Sequence, residues 1–267
     1  MSVTTATRRA TAAGRFYEID GQLYPSVTNI LGACPKPALV PWAAKVEREA
    51  VTEAAADLYA QWSLHPVRPQ LSRGAYLATL ITRLGTVKAH QKTLAQAGDI
   101  GSETHRLIEW TMRTAIGAEA GPKPVVGDAA LWAFMAFEDW AKSVRLKPVL
   151  IERTVYSTVH GYAGTLDVLA RVNGVLANVD FKTGKSIYAE SFLQSAAYSV
   201  ALQEMGYEAP AAAFIVRLPK VETDPAFQVV PVPPVAELFP VFLAVKQVWA
   251  WQAGNDAAWR RTQGRVA

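Results

Sequence analysis

Cysteine is nearly absent from this chain. Cys34 is the only one in 267 residues, which excludes an internal disulfide and any zinc or iron–sulfur site built on several thiolates. Long apolar runs are also missing: no hydrophobic stretch reaches the roughly 18–20 residues needed to cross a bilayer. The opening Met1-Ser2-Val3-Thr4-Thr5-Ala6-Thr7-Arg8-Arg9 lacks the hydrophobic centre of a secretory signal, so a cytoplasmic location is expected. There is no internal repeat. A strong excess of one charge is lacking too, with 27 Lys and Arg against 23 Asp and Glu. The resulting +4 and a pI near 9.1 suit a polyanionic partner without demanding one. The length allows one large domain, or a core with an added subdomain.

What is present centres on a turn. Asn173-Gly174 is the strongest short signal for a two-residue hairpin loop, and strand-like runs over 165–172 and 175–182 flank it. With those two residues as the loop, Val172 faces Val175, and counting outward brings Asp167 opposite Asp180. Alternation then puts Lys182 on the Asp180 face. Opposed like charges destabilise a strand pair, whose facing Cβ atoms are only about 4.5–5.5 Å apart. Something must offset them. One solution is a hard divalent cation, since Mg²⁺ takes one or two carboxylates together with water and phosphate oxygens. The other is a solvated sheet face with Lys182 as a partial counterion.

Thr183-Gly184-Lys185 forms a turn into a helical stretch over 189–205, which Gly206 is placed to end. There Gln194 and Tyr198 stand i, i+4 and share a face that can lean over the acid–lysine group. Glutamine can bond a phosphate or a water ligand, and tyrosine can do so or stack on a base; alternatively Tyr198 packs in the core with Ala197 and Leu202. Upstream, His105 and Glu109 are also i, i+4 on a helix. A neutral imidazole completes a metal's ligand set and favours Mn²⁺ more than carboxylates alone do. Glu109 touches a metal, orients His105 or lies on the helix surface. Glu152, in the strand-like run 149–157, is a further acid or a solvated strand residue.

Elsewhere, residues 1–13 read as flexible, and 15–19 with 22–24 as a small hairpin around Asp20-Gly21. Ser26 reads as the hydroxyl cap of a short helix reaching Leu31. Helices are expected over 42–60 and 74–97, separated by a loop over 61–73 that carries Trp62, His65, Arg68 and Arg73. Arg83, Lys88 and Lys92 can track a phosphate backbone and Trp62 can stack on an unpaired base, or all are ordinary solvated surface. After a linker over 117–127, a helix over 128–144 carries Leu131, Trp132, Phe134, Met135, Phe137 and Trp140, a stripe that reads as core. Strands over 211–218 and 227–232 place Arg217 and Lys220 where they can approach nucleic acid, and a last helix covers 235–251. The expected class is α/β, with a mixed central sheet flanked by helices.

Four segments in order resemble a known superfamily. They are Gly101-Ser102-Glu103-Thr104-His105-Arg106-Leu107-Ile108-Glu109, Gly164-Thr165-Leu166-Asp167, Asp180-Phe181-Lys182 and Gln194-Ser195-Ala196-Ala197-Tyr198. They match the H-x-x-x-E, G-x-x-D, D/E-x-K and Q-x-x-x-Y pattern of the PD-(D/E)XK nucleases. The chain is most similar to the RecB-like exonuclease branch, which holds phage and mitochondrial genome maintenance exonucleases. Tyr24-Pro25-Ser26-Val27-Thr28-Asn29-Ile30-Leu31 resembles a segment that often opens such chains.

The resemblance implies a restriction-endonuclease-like core over 97–267 and a mainly helical region over 1–96 forming part of a DNA-binding wall. It implies Asp167, Asp180, Lys182, Gln194 and Tyr198 as catalytic residues. His105, Asp167 and Asp180 would hold one or two Mg²⁺ or Mn²⁺ ions, with Glu109 and Glu152 as further acids. The implied activity is an exonuclease on single-stranded DNA or duplex ends in DNA processing, recombination or repair. A bacterial or phage-infected cell is the implied setting, with a recombination or replication protein as partner and no membrane. Relatives with an iron–sulfur cluster hold it through four cysteines, which this chain lacks. A structure-specific endonuclease on the same fold and a non-catalytic DNA-binding protein are the alternatives.

Overall fold

The computed structural model describes residues 6–11, 14–64 and 72–263, with side chains as far as 255. The chain divides into two compact units, residues 1–34 with 100–267, and residues 35–99. The sequence division at 96/97 differs from this one chiefly in where the first 34 residues fall. Among the described residues no helix is long and apolar enough to cross a membrane.

The larger unit opens with an antiparallel meander of β1 (Ala6–Thr11), β2 (Gly14–Ile19) and β3 (Gln22–Pro25). Asp20 and Gly21, at φ 49° and 78°, make the β2–β3 turn that their sequence predicts. Residues 6–11 are not the flexible lead expected; they pair with β2 from Ala6↔Ile19 to Thr11↔Gly14. Backbone pairing and an Arg9–Glu18 ion pair hold β1, whose side chains are nearly all exposed. An edge strand that buries almost nothing leaves no hydrophobic pattern to read. Ser26 then caps α1 (Val27–Leu31), its Oγ accepting from the Asn29 amide at 3.0 Å, and Val27, Ile30 and Leu31 are buried.

The smaller unit is helical. It holds α2 (Leu39–Ser63), α3 (Arg73–Leu84) and the start of α4 (Ala89–Ala115), which runs on into the larger unit. Pro41 lies in the first turn of α2, where a missing N–H costs little. The single helix expected over 74–97 is two, broken at Gly85 with φ 70°, a conformation glycine reaches without steric cost. The loop expected over 61–73 is shorter at both ends. Trp62 belongs to α2 and packs on Tyr59 at 5.9 Å, Arg73 begins α3, and His65 and Arg68 lie outside the described residues. Glu47 accepts from the His90 amide at 3.0 Å and meets His90 Nδ1 at 2.7 Å, closing the first turn of α4.

In the larger unit α5 (Asp128–Ser143) precedes β4 (Lys147–Ser157), β5 (Tyr162–Val172) and β6 (Val175–Lys182). Then come α6 (Ala189–Glu204), β7 (Ala212–Arg217), β8 (Gln228–Pro231) and α7 (Val235–Gln263). The five strands form a mixed sheet in the order β4-β5-β6-β7-β8, antiparallel except for β6–β7. A parallel pair needs a crossover, and α6 provides it. Asn173 and Gly174, at φ 50° and 88°, have the paired left-handed conformations of a type I′ turn. The β5–β6 register runs from Val172↔Val175 to Val168↔Val179, as the turn predicts.

Each face of the sheet has its own core. Val155, Tyr162, Leu166 and Leu169 pack with Ile30 of α1, Leu202 of α6 and Phe242 of α7. Ile151, Val168, Val179 and Phe181 pack with Ile108 and Met112 of α4 and with Phe137 and Trp140 of α5. Full burial of such a side chain contributes about 1.5–3 kcal/mol. The inward face of α5 is Ala130, Ala133, Phe137 and Trp140; Leu131, Trp132 and Met135, expected in the core, are exposed. Arg217 is likewise not a surface cation. It is 3% exposed, and Nη2 donates to the Pro225 and Ala226 carbonyls at 2.8 and 2.6 Å, tying down the β7–β8 loop.

Besides a register shift between Pro148 and Leu150, alternation breaks at a second place. Leu166 and Val168 should share a face of β5, yet they lie in opposite cores, and so do Val155 and Ile151 of β4. The switch falls at Asp167 and Glu152, which are missing from the ladder between Arg153↔Leu166 and Ile151↔Val168. Glu152 has φ 46°. Among the described non-glycine residues with positive φ, Asp20 and Asn173 are in turns and Arg145 follows α5; Glu152 alone stands inside a strand. Replacing Ser26 by Ala is expected to cost about 1 kcal/mol, read by urea denaturation, and Ser26→Thr to recover most of it.

Candidate metal centre

Where β4 and β5 lose their pairing, two acids turn toward a helix. His105 of α4 has Nδ1 3.6 Å from Asp167 Oδ2 and 3.9 Å from Glu152 Oε1. Its Nε2 is 3.1 Å from the Phe181 carbonyl oxygen. His105, Glu152 and Asp167 thus bring one ligand atom each within 4.8 Å of one another. That separation is comparable to the span of two metal–ligand bonds of about 2.0–2.2 Å each. The helix supplies the histidine because Ile108 and Met112 bury the neighbouring stripe of α4 against the sheet.

Asp180 stands on the other side of Phe181 and is 3% exposed. Lys182 Nζ lies 2.9 Å from Oδ1 and 2.8 Å from Oδ2, and Gln194 Nε2 donates to Oδ1 at 3.2 Å. Only the Oδ1 approach of Lys182 has hydrogen-bond geometry, so the buried Oδ2 has no hydrogen-bond partner among the described residues. An unsatisfied buried carboxylate oxygen is costly, and its lone pairs suit a cation. The donor set of His105, Glu152 and Asp167 therefore fits a hard or borderline divalent ion, and Asp180 stands nearby in an ion pair with Lys182.

The two aspartates do not face each other as a closed ladder pair. Pairing ends at Val168↔Val179, and Asp167 Oδ2 accepts the Phe181 amide proton at 2.7 Å. A side-chain oxygen takes over a bond to strand backbone, and the ladder stops one pair short of the two aspartates. The register up to that point is the one the turn predicts.

Charges in this group are interdependent. Burial favours neutral His105, but Asp167, Glu152 and Asp180 outweigh it and raise the ring to about 9. Burial, with Asp167 nearby, lifts Asp180 to about 6 against the opposing pull of Lys182. Asp167 is raised as well, by burial first, with His105 opposing. For Lys182, burial is overcome by Asp180 and Asp167, and its affinity for the proton rises. His105 and Lys182 are thus the counterions of the acids when no cation is bound; ligation requires the imidazole to release its proton.

The α6 helix leans over this group as the Gln194–Tyr198 spacing predicts. Gln194 Oε1 accepts from Lys182 Nζ at 3.2 Å, and Nε2 is 3.4 Å from Tyr198 Oη. Asn178, two residues before Asp180, donates to the Ser195 carbonyl at 3.1 Å and fastens the helix to β6. Tyr198 is only 3% exposed and lies against Gly164, where a Cβ would overlap its ring. It therefore braces Gln194 from inside the core. Glu109 is not brought into the group; it receives Arg113 Nε at 2.8 Å. Glu152, one of two open readings in the sequence, is brought in. Sequence reasoning missed Arg113 and the Phe181 carbonyl. The i, i+4 spacing from Glu109 was a signal for the first, whereas a backbone carbonyl leaves no mark in residue type.

The chain matches no protein-family model and no curated protein.

Two outcomes follow from this geometry. His105 and Asp180 both have folded-state pKa values above their unfolded ones, so the folded state binds more protons and stability falls as pH rises. The His105 contribution is present below about pH 6.5 and lost as pH rises through about 9. Chelator-treated protein should melt at lower temperature at about pH 9.5 than at about pH 6.5, and His105→Gln should flatten that slope. Separately, Gly164→Ala should cost about 1–3 kcal/mol in chemical denaturation by displacing Tyr198.

Proposed function

We propose that this protein is a metal-dependent deoxyribonuclease, an exonuclease hydrolysing phosphodiester bonds at single-stranded or duplex DNA ends during DNA processing, recombination or repair. The proposal includes a restriction-endonuclease-like core of the PD-(D/E)XK, RecB-like kind. The observation that carries it is the convergence of His105, Glu152 and Asp167 beside an Asp180–Lys182 pair whose buried Oδ2 lacks a hydrogen bond. A structural ion pair has no use for a histidine, two further acids and an unsatisfied oxygen in one place.

His105, Glu152 and Asp167, with Asp180, would hold Mg²⁺ or Mn²⁺. When bound, the ion supplies Lewis acidity and charge neutralisation at a phosphodiester. Lys182 keeps its proton because Asp180 and Asp167 stand beside it, and its side chain is 30% exposed, so the ammonium can meet a phosphate oxygen. There it offsets charge that builds in the transition state. Gln194 holds both Lys182 and Asp180, and Tyr198 holds Gln194. The fixed geometry of the ammonium is the contribution of α6. His105 and Glu152 side chains, 29% and 27% exposed, leave the group open to an approaching strand.

The test is a time course on end-labelled single- and double-stranded DNA with Mg²⁺ or Mn²⁺, beside a covalently closed circle. Shortening from the ends with an intact circle is expected. Asp180→Asn should lower the rate by about 100-fold or more while DNA binding persists. Undiminished metal-dependent cleavage by that variant would remove the reading, and cutting of the circle would make the enzyme an endonuclease.

A further inference from the structure

We infer that Arg113 is a positioning residue for Glu152 and that Glu109 acts through it, an inference that rests on the metal-site reading above. Arg113 donates from Nε to Glu109 Oε1 at 2.8 Å and from Nη2 to the Ile151 carbonyl at 3.4 Å. Ile151 is the residue directly before Glu152, whose φ of 46° is the one left-handed conformation inside a strand among the described non-glycine residues. Such a conformation persists only where the surroundings over-determine it. Here it reverses the side-chain faces of β4 and turns the Glu152 carboxylate to within 3.9 Å of His105.

The geometry of α4 explains why the brace comes from this helix. His105, Glu109 and Arg113 stand at i, i+4 and i+8, so one helix face supplies both the candidate ligand and, two turns on, the group that fixes its neighbour. Guanidinium is the group suited to the task. Its rigid fork serves a carboxylate from Nε and a carbonyl from Nη2 together, which a lysine ammonium cannot reproduce. Glu109 has a distinct part. A bare guanidinium beside Glu152 would pair with it and take it from His105. By occupying Nε and balancing the charge, Glu109 leaves Arg113 to hold backbone and leaves Glu152 free. Both side chains of the pair are 32% exposed, so neither is merely core filling.

The test uses the full chain and Mn²⁺ alone, with affinity measured by calorimetry and folding by thermal melting. Arg113→Met should weaken Mn²⁺ binding about tenfold, Arg113→Lys should restore less than half of that, and Glu109→Gln should weaken binding although it leaves the ligands intact. In a Glu152→Gln background, Arg113→Met should add no further loss, because the two act through one group. An equal loss in both backgrounds, or unaltered binding by a folded Arg113→Met protein, would overturn this inference alone. Absence of Mn²⁺ binding by the unaltered protein would overturn the site reading and this inference with it. A metal-free readout stands beside these: in a crystal structure of Arg113→Met or Glu109→Gln, Glu152 should leave the left-handed region or turn from His105. Unchanged Glu152 in that structure would refute the brace whatever the metal data show.

Discussion

Three carboxylates crowded into a partly dry corner of the sheet set the terms for everything around them. Glu152 repels Asp167 and Asp167 repels Asp180, while burial disfavours the charged form of both aspartates. His105 and Lys182 answer with positive charge, each holding its proton more firmly for it. The backbone answers as well: the β5–β6 ladder stops one pair early, and β4 reverses its facing at Glu152. A protein that needed only stability would be better served by apolar residues of similar volume. Retaining the acids is a cost, which the proposed metal site would turn to use.

Much of this was legible because hairpin chemistry is local. Asn173-Gly174 specifies its turn, the turn specifies register, and register places Asp180, Lys182 and the strand position of Asp167. The i, i+4 pairs His105–Glu109 and Gln194–Tyr198 followed from helix geometry alone, and the structure brings three of those four residues to the acids or to a neighbour that holds them. Glu109 pairs instead with Arg113, at the same spacing on its other side.

What was not legible depended on long-range packing. The reversal at Glu152 cannot be read from a strand-like run, because periodicity assumes unbroken alternation. β1 lacks buried side chains, so no pattern marks it. Arg217 looked like a surface cation because residue type says nothing of burial; only the β7–β8 loop folding over it supplies carbonyl acceptors. The inward face of α5 was misread since two alanines, Ala130 and Ala133, take core positions that larger exposed neighbours seemed to claim. Small residues at a tight helix–sheet contact carry little hydrophobic signal.

Phe181 has no reactive group, yet its position is exacting to alter. Its amide is held by Asp167 and its carbonyl by His105. Its ring is wedged edge-on between Phe137 and Trp140, at centroid distances of 5.3 and 5.7 Å. The residue is therefore a mechanical datum from which both the acid and the imidazole take their bearings. Loosening the aromatic cluster beneath it would move the two together, long before the sheet came apart. Tolerance to mutation on this face of the sheet should accordingly be governed by alignment at the surface above it, with thermal endurance a poor guide to what the protein can still do.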